Sequence, residues 1–444
     1  MLEKLFHLSE KKTNVKTEVI AGLTTFLAMA YILAVNPGIL GDAGMDRQAV
    51  FMATAIASAI ASVLMGLVAN YPVALAPGMG VNALFAYTVV LGMGHSWETA
   101  LAAVFVSGAF FLVISVTGIR KMIINAIPKQ LKQAIGAGIG FFIAFIGLKN
   151  AGIVVANDAT FVGLGLLTDP TVLLAIFGIL LTIFLVAKKV PAAVFVGMVI
   201  TALVGLGLGF MGFEMMPSLP QGAMINTSFE ISTLGAFMNG FGELFSDPFN
   251  CFIIVFSFLF VDFFDTAGTL VAVGNSCGLV NEDGELVDAE KALLSDAVGT
   301  VIGATLGTST VTSFVESTSG VAVGGRTGLT AITTGILFLL SIFVSPIILS
   351  VATNAVTAPA LVVVGIMMSS QLSGVDWNDF TYAVAGFITV ISMVLFYSIS
   401  NGIALGFITY GIAMIATGRF KEVSPIIWGL DIIFIFYFYS LTIL

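Results

Sequence analysis

Charge is what this sequence has least of. Only 9% of its 444 residues are Asp, Glu, Lys or Arg, against roughly 25% in soluble domains, which excludes a water-soluble globular protein. Disorder is excluded as well, because it needs high charge and low hydrophobicity, whereas 58% of these residues are hydrophobic and the mean hydropathy is +1.10. The two cysteines, Cys251 and Cys277, make neither a disulfide framework nor a metal-ligand set. The two histidines, His7 and His95, have no zinc-ligand spacing with them and read as solvated. GRTGLT at 325–330 lacks the lysine of a phosphate-binding loop, so any energy comes from an ion or substrate gradient. A net charge of −9 without a basic stripe excludes nucleic acid. No cofactor or metal is expected. What is abundant, 48 glycines and 38 phenylalanines, suits helices packed closely in a lipid bilayer.

Residues 1–16 are polar and mixed in charge, with no cleavage site behind a short apolar core, so no secretory signal is read there. Leu2, Leu5, Phe6 and Leu8 leave Lys4, Lys11 and Lys12 outside their stripe, which suits a short interfacial helix or a frayed tail. Stretches able to cross roughly 30 Å of hydrocarbon at about 20 residues each are expected at 17–39, 48–70, 72–92, 97–118, 130–150, 170–187, 191–212, 249–272, 291–308, 309–325, 327–347, 353–370, 378–398 and 401–417. A last apolar run, 425–443, carries Asp431 and is either a fifteenth span or an interfacial helix. With a cytoplasmic N-terminus, every basic residue falls on the cytoplasmic side except Arg47 and Lys149, as the positive-inside bias requires. The polar stretch 213–248 divides the spans into two sets of seven, and an odd number inverts one half relative to the other.

Corresponding segments of the halves are broken. Pro72, Pro77, Gly78 and Gly80 interrupt 61–83, while Thr308, Thr310, Val311 and Thr312 make 303–325 extended before Glu316. Neither can be a good continuous helix, and broken spans at matching positions point to a transporter's binding site. Four acids lie within apolar spans: Asp262, Asp265, Asp296 and Glu316. Each would cost about 2.5–3.5 kcal/mol facing lipid, so all are expected to face an interior or an aqueous cavity. Asp262 and Asp265, spaced i,i+3, share one helix face, and two such charges cannot both ionise easily in low dielectric, which suits proton coupling. Asp296 serves either that purpose or an interhelical bond. No Lys or Arg sits deep in a span. An acid-rich, base-free site suits a flat nitrogen heterocycle or a cation, with Asn82 as donor and acceptor and Phe85, Phe263, Phe264 or Phe314 as stacking faces.

AGLTTFLAMAYILAVNP, PGMGVNALFA, FVDFFDTAGTL, SDAVGTVIGATLGTSTVTSFVES and GVAVGGRTGLTA resemble the AzgA-like branch of the nucleobase–cation symporter-2 family over nearly the whole chain. The resemblance implies an all-α polytopic fold of about 14 segments as a 7+7 inverted repeat, with short strands in broken spans 3 and 10. It implies a core domain (17–118 and 249–347), a gate domain (119–212 and 348–418), an extracellular linker (213–248) and a C-terminal segment (419–444). It further implies a permease, not an enzyme, in the cell membrane with its N-terminus cytoplasmic. Such a permease imports adenine, guanine or hypoxanthine with H⁺ (Na⁺ as alternative), and analogy with related transporters suggests a homodimer. Carried over by motif, Asn82, Asp262 and Glu316 become substrate-binding, with Gly78, Phe263 and Ser317 beside them. Asp265 becomes an acid of proton coupling, a role also open to Asp262 and Asp296. Thr318 and Ser319 depart from the usual ESxxGxxxGG stretch toward polarity. A uracil or xanthine permease, an anion carrier on the same fold and an intramembrane aspartyl hydrolase are the alternatives.

Overall fold

The computed structural model of the chain describes residues 2–117, 122–123, 126–227, 229, 231–279, 286 and 288–443. Arg120 and Lys121, two of the cytoplasmic markers, lie outside the described residues. The main helices are α1 (Val15–Met29), α2 (Ile32–Asp42), α3 (Arg47–Leu64), α4 (Met79–Ala83), α5 (Trp97–Val116), α6 (Lys129–Asn150), α7 (Pro170–Ala187), α8 (Ala193–Phe210) and α9 (Phe237–Leu244). They continue as α10 (Pro248–Cys277), α11 (Ala289–Leu306), α12 (Ser317–Ala322), α13 (Gly328–Ser341), α14 (Asn354–Ser369), α15 (Phe380–Leu395), α16 (Ile399–Ala416) and α17 (Pro425–Ile443). Among the described residues, eleven helical stretches are long and apolar enough to cross a membrane, and Met79–Val90 and Phe380–Leu395 are shorter apolar ones. Helix starts follow from local chemistry. Asp46, Ser96, Asp169, Asp247, Asp379 and Ser398 each accept a backbone N–H of the following first turn, satisfying donors that a helix leaves open.

The helices pack in two groups. In one, α1 lies on α12 and α13, α3 on α11 and α13, and α5 on α10 and α11. In the other, α6 lies on α14 and α15, α7 on α8 and α14, and α15 on α16. Glu18 of α1, fully buried, accepts from the backbone N–H groups of Arg326 (2.9 Å) and Thr327 (3.3 Å) and from the Thr330 hydroxyl (2.6 Å). It thereby closes the start of α13.

Polar contacts gather at two opposite ends. At one, the Asn70 side-chain amide donates to the Phe6 carbonyl, Gly328 N–H donates to Asn70, and Arg419 pairs with Asp379 at 2.6 Å. At the other, Tyr87 donates to Asp42, Asn150 donates to Tyr87, and Lys149 donates to Tyr397.

Two strands meet in the middle of the first group. β1 (Leu75–Pro77) and β4 (Val311–Ser313) are antiparallel, pairing Leu75 with Ser313 and Pro77 with Val311. A separate hairpin, β2 (Val154–Asn157) with β3 (Phe161–Leu164), follows α6. A two-stranded pair surrounded by apolar helices leaves its outer backbone groups without partners. Side chains supply them. Ser62 accepts from Leu75 N–H at 2.9 Å, Ser317 accepts from Ala74 N–H at 3.0 Å, and Thr300 donates to the Val311 carbonyl at 3.1 Å. Asp296 accepts from Ser313 N–H at 3.1 Å.

Candidate substrate site

The four intramembrane acids separate once their partners are named. Asp296, fully buried on α11, accepts from the Thr266 hydroxyl (2.8 Å) as well as from the backbone and hydroxyl of Ser313 (3.1 and 3.2 Å). It ties α10 to the outer edge of β4. Asp262 is also fully buried, with the Thr300 hydroxyl 3.4 Å from its Oδ2. Asp265 and Glu316 instead line one small cavity of about 60 Å³ together with Tyr31, Gly78, Phe264 and Phe314. Three residues along a helix advance about 300°, so side chains at i and i+3 diverge by about 60°. That angle turns Asp262 toward α11 and Asp265 toward the cavity.

The cavity belongs to both helix groups. Beside the α10 and strand residues, its wall includes Lys132, Ile139 and Ile143 of α6 and Val364 and Met368 of α14. A larger cavity of about 730 Å³ shares Glu316, Lys132 and Gln371 with it and runs past Lys129, Thr318 and Ser319. The base-free site expected from sequence is therefore corrected. Lys132 stands one turn inside the start of α6, and its side chain reaches the cavity wall. A lysine near a helix end can extend a long apolar stem and carry its charge well away from its backbone position.

Of the remaining expected site residues, Asn82, Ser317 and Phe263 do not line this cavity. Asn82 is fully buried and accepts through Oδ1 from the Ser309 hydroxyl. Ser317 holds Ala74, as described, and Phe263 packs its ring against Phe260 and Phe264. Gly78 is on the wall, where a Cβ would stand 2.6 Å from Thr312 Cγ2 and 3.0 Å from Asp265 Oδ2. Only glycine lets β4 and α10 approach the chain there.

One contributor to the site was missed in the sequence, and one residue away from it was misread. Tyr31 sits in the short break between α1 and α2, is buried, and donates its hydroxyl to Glu316 Oε1. The available signal was a phenol inside an apolar run, which needs a partner once buried. His95 is not simply solvated, as expected. Its Nδ1 lies 2.7 Å from Glu243 Oε1, and Ser96 and Thr99 donate to the other carboxylate oxygen at 2.7 and 2.6 Å. These bonds, Thr99's first, hold the Glu243 carboxyl at about 2, well below its usual 4.5. They dock α9 against the start of α5.

Known proteins bear out the kind of molecule this is. The profile of the Permease family, Xan_ur_permease, matches residues 16–405. The guanine/hypoxanthine permease PbuG of Bacillus subtilis is 49% identical over 98% of this chain and 99% of its own length. The adenine permease AdeP of Escherichia coli is 44% identical over 98% of this chain and 95% of its own. Among solved structures, the transmembrane domain of the cyanobacterial bicarbonate transporter BicA has a similar fold. Its TM-score is 0.61 at 15% identity, covering 88% of this chain and 97% of that one.

Proposed function

We infer the function from a plain premise: this chain belongs to the Permease family, whose profile spans most of it. We propose that it imports purine nucleobases across the cell membrane by proton symport. Its relatives are named for guanine, hypoxanthine and adenine. The observation that carries the reading is a cavity where two carboxylates, Asp265 and Glu316, face the same space as the rings of Phe264 and Phe314. A flat, neutral heterocycle rich in N–H groups matches carboxylate acceptors and aromatic faces. Two negative charges in one cavity of low dielectric repel each other. A proton taken up with the substrate removes that repulsion and returns when both are released.

In this reading the first helix group, with Asp265, Glu316 and the strand pair, is the core, and the α6–α8 and α14–α16 group is the gate. Fourteen passes in two inverted sets of seven account for the polar contacts at the two ends. The end bearing Asn70 and Arg419 is cytoplasmic, and so is the N-terminus. The larger cavity, reaching Lys129, Thr318 and Ser319, is the inward opening. α17 makes a fifteenth pass. It starts beside Arg419, packs Phe434 edge-on against Phe260 and at a tilt against Phe407, and bonds Tyr437 to Asn401 at 2.9 Å near the outer end. Alternating access follows when core and gate move past each other around the filled cavity.

Uptake of radiolabelled adenine, guanine and hypoxanthine in a strain without its own purine permeases tests this. Saturable uptake that a protonophore abolishes and unlabelled purines compete for is expected. Competition by uracil, xanthine or sulfate without competition by purines refutes the substrate assignment. The sulfate arm matters because Lys132 gives the cavity wall one cation.

A further inference from the structure

Glu316 does not offer a bare carboxylate to the cavity. Its Oε1 already accepts the hydroxyl of Tyr31, a residue 285 positions earlier in the chain. Tyr31 is held firmly, being 1% exposed, with its backbone carbonyl accepting from Val35 N–H at 2.9 Å as α2 begins. We propose that Tyr31 is a positioning residue for specificity: it engages one oxygen of Glu316, so that the substrate meets a single fully open oxygen on that carboxylate. The inference rests on the purine reading above and sharpens it.

The chemistry follows from counting donors. A free carboxylate accepts two parallel N–H bonds side by side. Guanine presents such a pair, its ring N1–H and its exocyclic 2-amino group, whereas hypoxanthine presents the ring N–H alone along that edge. With one lone-pair site of Oε1 filled by Tyr31 and its charge partly satisfied, the second donor of guanine makes only a weak bond there, and the two purines are read almost alike. Without the hydroxyl, Oε1 turns to the ligand, and guanine gains a bond that hypoxanthine cannot make.

The test is Tyr31→Phe, with KM measured for guanine and hypoxanthine uptake. The ratio of hypoxanthine KM to guanine KM is expected to rise about tenfold over wild type, the worth of one hydrogen bond to a charged group. An unchanged ratio, or an equal loss for both purines, overturns the proposal, because a merely structural hydroxyl moves both ligands together. Tyr31→Leu removes the same hydroxyl if the phenylalanine variant fails to reach the membrane. Thermal stabilisation of the purified variants by each purine reads the same ratio without transport. Wild-type protein that neither binds nor transports purines refutes the functional reading itself. Wild-type uptake with an unshifted ratio in both variants refutes only the role of Tyr31.

Discussion

The strand pair has two sides that use the same side-chain chemistry to opposite ends. Behind it, Asp296 accepts three hydrogen bonds from Thr266 and Ser313. In front, Glu316 accepts one from Tyr31, and Asp265 accepts none among the described residues while lining the cavity. A carboxylate surrounded by fixed donors is a structural anchor; one left with open oxygens is available to a ligand or a proton. The difference lies in the neighbours. The acids themselves are alike, and Asp262 and Asp265 even share a helix.

That contrast gives ordered ways to break it. The largest effect is expected for Glu316→Gln, which keeps the shape but loses the charged acceptor. Purine uptake should fall on the order of 100-fold, while the melting temperature in detergent stays near wild type. Wild-type uptake by this variant would remove Glu316 from the site.

Asp296→Ala should do the reverse. It strands the Ser313 N–H in an interior without water and leaves the Thr266 hydroxyl only its bond with Thr312, at a cost of about 1–3 kcal/mol. Less folded protein and a lower melting temperature are expected, with uptake per folded molecule largely kept. If uptake per folded molecule instead loses its response to a proton gradient, Asp296 belongs with the cavity acids.

The smallest effect lies outside the membrane segments. Glu243 has its carboxyl lowered to about 2 by Thr99, His95 and Ser96, so its contribution is present above its usual 4.5 and fades as pH falls toward 2. Hydrogen exchange in residues 237–244, taken as protection relative to the intrinsic rate at each pH, should stay slow at neutral pH and lose protection only below about pH 4. Glu243→Gln should quicken it at neutral pH, and equal exchange in the two proteins would show that these bonds do not hold α9 down.

The outline of the molecule was legible because bilayer thickness writes itself into the length of apolar runs. The run expected at 170–187 is a helix over those residues, and 97–118 differs from α5 by two residues at one end. The breaks at Pro72–Gly80 and Thr308–Thr312 were legible too, since proline, glycine and β-branched residues disfavour helix wherever they fall. Facing was less so. Spacing i,i+3 puts Asp262 and Asp265 on one side of α10, but the 60° between them decides which meets the cavity, and packing sets how α10 is turned about its axis. Tyr31 meets Glu316 only through tertiary structure, across 285 positions. Lys132 reads as a boundary marker because its side-chain reach is invisible in a linear pattern. Glu18 went unremarked, although its burial rests on donors from 308 or more residues away.

The central claim is that a purine and a proton share the cavity of Asp265 and Glu316. Proton uptake on purine binding measures it directly, by calorimetry of the purified protein in buffers of differing ionisation enthalpy. The account predicts about one proton taken up per purine by wild type and none by Asp265→Asn. Equal proton uptake by both proteins, or none by wild type, would contradict it.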